Sequence, residues 1–136
     1  VPSGAICELI KTARVASSLK VPVSRVGSCL ETDVTPDRSG RWPIQAPPFE
    51  LALVSVNPDP TRHRYYDNVD KHSSDYKSVL VSGTSCAQQV DRGHNLYCYD
   101  EKTKMTVHVQ VVGDADVSAM TLALASAALP VVLPGA

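Results

Sequence analysis

The stretch from Asn95 to Val112, NLYCYDEKTKMTVHVQVV, decides the fold class. Met105, Val107, Val109 and Val111 alternate with Lys104, Thr106, His108 and Gln110. A period of two places one set on a buried face and the other in water, the pattern of a half-buried antiparallel strand. Asn95 to Asp100 reads as its partner, joined through Asp100, Glu101, Lys102 and Thr103. The pair predicts a hairpin.

Working outward, Lys77 to Ser82 reads as a short strand centred on Val79, Leu80 and Val81. Phe49 to Val56 reads as another, whose alternation changes phase between Leu53 and Val54, predicting a bulge or burial on both faces. Arg25 to Val34, carrying Cys29, reads as a further strand. Residues 35–48 hold Pro36, Gly40, Pro43, Pro47 and Pro48 and read as an irregular connection. Residues 57–76 read as a long polar loop, the least structured part of the chain.

Helices are predicted at both ends. Over residues 4–19, Ile6, Leu9, Ile10, Ala13 and Ala16 recur at helical spacing, with Ser3 as N-cap and Pro22 beyond the end. Asp114 is expected to cap a last helix to about Leu129, with Val117, Met120, Leu124 and Ala128 on its inner face. The expected architecture is α+β: an antiparallel sheet of about five strands, with N- and C-terminal helices packed on one face, in a single domain over 1–136.

The four cysteines, Cys7, Cys29, Cys86 and Cys98, show no Cys-x-x-Cys spacing, which argues against a zinc ribbon or a thioredoxin-like redox site. Three pairings are possible; 7–29 and 86–98 are favoured because near neighbours can meet across a turn or a helix-to-strand return. Two disulfides imply an oxidising compartment, and the opening Val1-Pro2-Ser3-Gly4-Ala5 reads as a mature terminus, so the expectation is a secreted protein. The uncharged stretch from Val117 to Ala136 is interrupted by Pro130 and Pro134 and is too short an apolar run for a transmembrane span. With a net charge of −1, the overall balance favours neither nucleic acid nor an anionic membrane as partner.

Several clusters invite chemistry. Arg62, His63, Arg64, Tyr65 and Tyr66 join guanidinium, imidazole and phenol groups in the long loop, but Asp59, Asp67 and Asp70 largely cancel their charge. His63 and His72 with Asp67, Asp70 and Asp75 match no metal-ligand spacing, so no metal or other cofactor is expected. The stretch from Gly83 to Ala87 departs from a nucleophile elbow because Ala87 stands at the second glycine, which leaves Ser85 as a loop residue. Glu50, the four histidines and Trp42-Pro43-Ile44 show a faint similarity to small fungal guanyl-specific ribonucleases. Those enzymes need a histidine before the glutamate; none precedes Glu50, which argues against a working site and keeps a catalytically dead relative, such as a secreted fungal effector, open beside a ribonuclease-like hydrolase.

The two ends of the chain together resemble small secreted or lipid-anchored domains of actinobacteria. These open with a cysteine, two aliphatics and a helix, matched by Cys7, Leu9, Ile10, Thr12, Val15, Ala16 and Leu19. A second cysteine follows, matched by Cys29, and an Ala/Leu-rich helix closes in Leu-Pro, matched by Ala123 to Ala125 and Ala128 to Pro130. Three positions depart: Ala5 does not supply the opening proline, Lys20 stands at a usual glycine, and Glu31 at a frequent tryptophan. The resemblance implies a cell-envelope binding domain without established catalysis.

The functional expectation is a secreted, non-enzymatic binding module for a protein or envelope component. Its surface would be loops 35–48 and 57–76, with Trp42, Arg62, His63, Arg64, Tyr65 and Tyr66 as binding residues, since aromatics and arginine dominate interface energetics. The alternatives are a small ribonuclease-like hydrolase using His94 or His108 with Glu50, and an enzyme inhibitor presenting residues 83–93.

Overall fold

A computed structural model describes residues 4–32 and 37–133. Among these, seven strands form one antiparallel sheet: β1 (Leu30–Thr32), β2 (Arg38–Ala46), β3 (Phe49–Pro58), β4 (Tyr76–Val81), β5 (Thr84–Gln89), β6 (Asn95–Asp100) and β7 (Met105–Gly113). Their spatial order is β1-β2-β3-β7-β6-β5-β4, so the predicted hairpin β6–β7 and strand β3 occupy the centre. Four α-helices accompany them: α1 (Ile6–Leu9), α2 (Thr12–Leu19), α3 (His63–Asn68) and α4 (Ser118–Val132).

The α+β class with terminal helices holds, but the sheet has seven strands instead of about five, and two regions account for the difference. Residues 35–48, expected to be irregular, hold the nine-residue strand β2. Pro43 fits there because its carbonyl accepts from Gly27 N–H at 2.7 Å, on the side away from β3. Amide and carbonyl of one residue share a side in an antiparallel ladder, so the missing Pro43 N–H removes no bond to β3. Residues 83–93, expected as an exposed loop, are largely β5, with Ser85 paired to Leu80 on an ordinary strand. The bulge in β3 falls between Phe49 and Leu51, where the register against β7 shifts.

The N-terminal helix is also divided. Ile10 and Lys11 are extended between α1 and α2. Ile6, Ile10, Val15, Ala16 and Leu19 are all buried, and the step of five from Ile10 to Val15 would swing them apart on a continuous helix. The two-residue break turns both onto the core. Ser3, the expected cap, lies outside the described residues. The last helix starts at Ser118 instead of Asp114, and Asp116, not Asp114, accepts the Ser118 N–H at 2.9 Å.

The core lies between the helices and one sheet face. Ile6, Val15, Leu19, Leu124 and Leu129 pack with Trp42, Val54, Val107 and Val109, all at most 1% exposed. Disulfides join Cys7 to Cys29 and Cys86 to Cys98, the second across directly paired residues of β5 and β6. Closing loops of 22 and 12 residues, each restricts the unfolded chain by about 3 kcal/mol. No helix among the described residues is long and apolar enough to cross a membrane.

Candidate functional site

The opposite face of the sheet is only partly covered. Segment 57–76, expected as an open loop, folds as α3 followed by a 3-10 helix over Asp70–Asp75. It lies over the β6 and β5 side of that face, where Tyr65, Val69, Ala87 and Tyr99 form a second, smaller cluster.

Asp59 organises the segment. It is 3% exposed. Its Oδ1 accepts the Arg64 N–H at 2.9 Å; its Oδ2 accepts the Tyr65 N–H at 2.9 Å and the Thr106 hydroxyl at 2.7 Å. Burial pushes its carboxyl up, but these three donors and the nearby Arg64 charge outweigh it, so the pKa sits below the usual value. The Tyr99 hydroxyl also donates to the Asp59 carbonyl at 3.1 Å. One carboxylate therefore caps α3 and pins it to β7.

The expected binding residues are largely absorbed into this support. Trp42 is 0% exposed, inside the main core on β2, because its strand position faces the helices; it presents no recognition surface. Tyr65 is 6% exposed and packs against Tyr99, with ring centroids 6.1 Å apart. The Arg62 guanidinium lies 4.5 Å from the Tyr65 ring centroid and pairs with Asp70. Arg64 reaches Asp37 at 3.4 Å, and His63 pairs with Asp67 at 3.0 Å. Tyr66 remains exposed at 52%. Among the described residues, no group of three or more His, Cys, Asp or Glu side chains converges on a metal position.

Beside this segment the sheet face forms a groove of about 350 Å³, lined by Arg38 and Ser39 of β2, Leu53 and Ser55 of β3, and His108 and Gln110 of β7. Asp37, held by Arg64, also lines it and links it to segment 57–76. Ser55 and His108 are directly opposed across β3 and β7.

His108 stacks on Tyr97 at 4.2 Å between ring centroids and 3° between planes. Its Nε2 lies 2.9 Å from Asn95 Oδ1, while Asn95 Nδ2 donates to Gln89 Oε1 at 3.0 Å. That amide orientation makes Nε2 the donor; the neutrality of the imidazole at pH 7 follows from its burial. Burial lowers the His108 pKa to about 4. Tyr97 is pushed up to about 12, by burial first and by Tyr76 second. His108 and Gln110 were legible one by one as the wet side of β7; their convergence with Asn95 and Tyr97 of β6 and Ser55 of β3 needed the strand order.

Glu50 and His108 do not share a site. Ser55, opposite His108, is five residues along β3 from Glu50, a separation of roughly 17 Å on an extended strand. His94 lies before β6, with Nδ1 2.9 Å from the Val111 carbonyl. No family model matches the chain, and no curated protein or solved structure is detectably similar to it.

Proposed function

We propose that the protein is an extracytoplasmic, non-enzymatic binding module whose recognition site is the groove on the open sheet face, with segment 57–76 as its wall. The observation that carries this reading is the contrast in lining: hydroxyl, amide and imidazole groups stand on rigid central strands around a concavity of about 350 Å³. That size falls in the range of small-ligand sites. Ser39, Ser55, Gln110 and neutral His108 suit a ligand rich in hydrogen-bonding groups, such as a segment of an envelope polymer or protein.

Binding is favoured over hydrolysis because a general base works best with a pKa near the working pH, and His108 is held near 4 with its Nε2 proton committed to Asn95. The two disulfides fit an oxidising compartment. The role of segment 57–76 changes accordingly: Arg62, Arg64 and Tyr65 build the wall, and of the aromatic pair only Tyr66 is exposed enough to touch a ligand.

Amide NMR of the labelled protein during titration with neutral oligosaccharides and short peptides tests this. Resonances of residues 53–57 and 106–110 should move, and filling the groove with Ser55→Trp should weaken binding at least about tenfold, since the hot part of a site tolerates little lost complementarity. Shifts confined to the helical face, or unchanged binding by Ser55→Trp, would overturn the assignment.

A further inference from the structure

The net charge of −1 conceals a segregation. Up to residue 26, Lys11, Arg14, Lys20 and Arg25 face a single acid, Glu8, so the remainder of the chain is net acidic. Lys11, Arg14, Lys20 and Arg25 are all exposed. Helix α4, packed against α2, carries no charged residue in its 15 positions. Its outer stripe, Ala119, Leu122, Ser126 and Pro130, is exposed at spacings of three and four. A helix apolar on all sides is ordinarily covered on all sides.

Two of these cations, Lys11 and Arg14, share one depression with the uncharged helix. A groove of about 660 Å³ between α2 and α4 is lined by Leu9, Lys11, Arg14, Ser126, Pro130 and Val131, with no acid among its described lining residues. The acids nearest α4 in sequence, Asp114 and Asp116, lie at its other end. Asp116 is some fourteen residues from Pro130, or roughly 20 Å along a helix. The face is therefore polarised, basic and apolar at the C-terminal half of α4 and acidic at the N-terminal end.

We propose that this helical face docks on an anionic membrane surface, with the C-terminal half of α4 against the lipid and Lys11 and Arg14 among the headgroups. An interfacial helix binds through apolar area plus cationic attraction to anionic lipid, without spanning. A second copy of the chain is a poorer occupant. A two-fold contact would set Lys11 and Arg14 of both copies around one seam, with no acid among the groove's described lining residues to offset them. Docked this way, the open sheet face with its groove points away from the bilayer.

Vesicle flotation tests the proposal, comparing phosphatidylcholine vesicles with vesicles holding roughly one-third phosphatidylglycerol. The protein should float with the anionic vesicles alone and be released in about 0.5 M salt, where screening is short-ranged. Lys11→Glu with Arg14→Glu should lower partitioning by about thirtyfold or more, since each basic residue near such a surface contributes about fivefold. Lys71→Glu with Lys102→Glu makes the same charge change away from α2 and α4 and should leave flotation intact. If the first pair disturbs the circular dichroism spectrum, Lys11→Gln with Arg14→Gln takes its place. Failure to float with anionic vesicles overturns the proposal, as does an equal loss in the Lys71/Lys102 variant. So does sedimentation as a dimer that Leu122→Asp dissociates, because the face would then be covered by a second copy.

Discussion

The two faces of the sheet are built from the same strands and held by different physics. On β3 and β7, Ala52, Val54, Val56, Val107, Val109 and Val111 are at most 1% exposed beneath the helices, and nothing directional holds them. The alternate positions carry Ser55, Thr106, His108 and Gln110, and several of these are fixed by named partners: Asp59 for Thr106, Asn95 and Tyr97 for His108. The first face is stable by excluding water and tolerates exchanges that keep volume. The second depends on direction where partners fix it, so Thr106 and His108 are replaceable only by groups with the same donors and acceptors.

The largest test of that difference is Trp42→Ala, which should cost about 3–5 kcal/mol by chemical denaturation, the usual range for emptying an aromatic site in a core. Gln110→Ala on the open face should stay within about 0.5 kcal/mol. Similar losses for both would erase the distinction between the faces. Trp42 Nε1 is buried with no hydrogen-bond partner among the described residues, so Trp42→Phe should cost less than its lost volume suggests, because the change also removes a stranded donor.

The second test uses pH. His108 has a folded pKa lowered from 6.5 to about 4 by burial. The unfolded chain then binds more protons than the folded one in that window. Its contribution is fully present above pH 6.5 and is lost as pH falls toward 4, reaching on the order of 3 kcal/mol. Denaturation curves between pH 7 and 4 should show this slope, and His108→Gln should flatten it. A wild-type curve without a slope there would mean that the open face leaves His108 hydrated.

These contrasts also mark what the sequence allowed to be read. Periodicity in β7, the hairpin with β6 and the disulfide pairs follow from local spacing, and the structure bears them out. Strand β2 was hidden because Pro43 argues against a strand until the direction of its carbonyl is known. Strand β5 was hidden because Gly83, Thr84, Ser85 and Ala87 resemble a loop, and only pairing on both sides by β4 and β6 makes them a strand. Trp42 was misplaced on the surface for the same reason as β2. The groove has no signature in one dimension, because Ser39, Ser55 and His108 meet through a strand order that joins β2 to β3 to β7.

A third, smaller effect separates the wall from the floor of the groove. Asp59→Asn replaces one acceptor oxygen by a donor facing the donors at Arg64, Tyr65 and Thr106. The loss should be about 2 kcal/mol, within the range for hydrogen bonds to a charged group. Hydrogen exchange should quicken in residues 60–75 while the amides of β3 and β7 stay protected. Because the folded pKa of Asp59 lies below its ordinary 3.8, its contribution is full at neutral pH and fades only as pH falls below about 4, a lower window than that of His108. If β3 and β7 loosen as much as the wall, segment 57–76 and the sheet are one cooperative unit.

The smallest effect lies in the helical layer. Lys20 follows α2 with φ at 58°, the left-handed conformation that closes the helix through its N–H to the Ala16 and Ser17 carbonyls. A side chain there costs about 1–2 kcal/mol that glycine avoids, while glycine returns part of the gain through a more flexible unfolded chain. Lys20→Gly should therefore stabilise the protein by roughly 0.5–1 kcal/mol, a rise of a few degrees in Tm. The same change removes one of the exposed N-terminal cations, just beyond α2 and outside the groove that Lys11 and Arg14 line. Its thermal melt should move upward while vesicle partitioning falls by about fivefold, and this opposite movement separates a charge effect from a folding effect in one variant. Partitioning that rises with the melt would tie lipid binding to helix stability instead of charge.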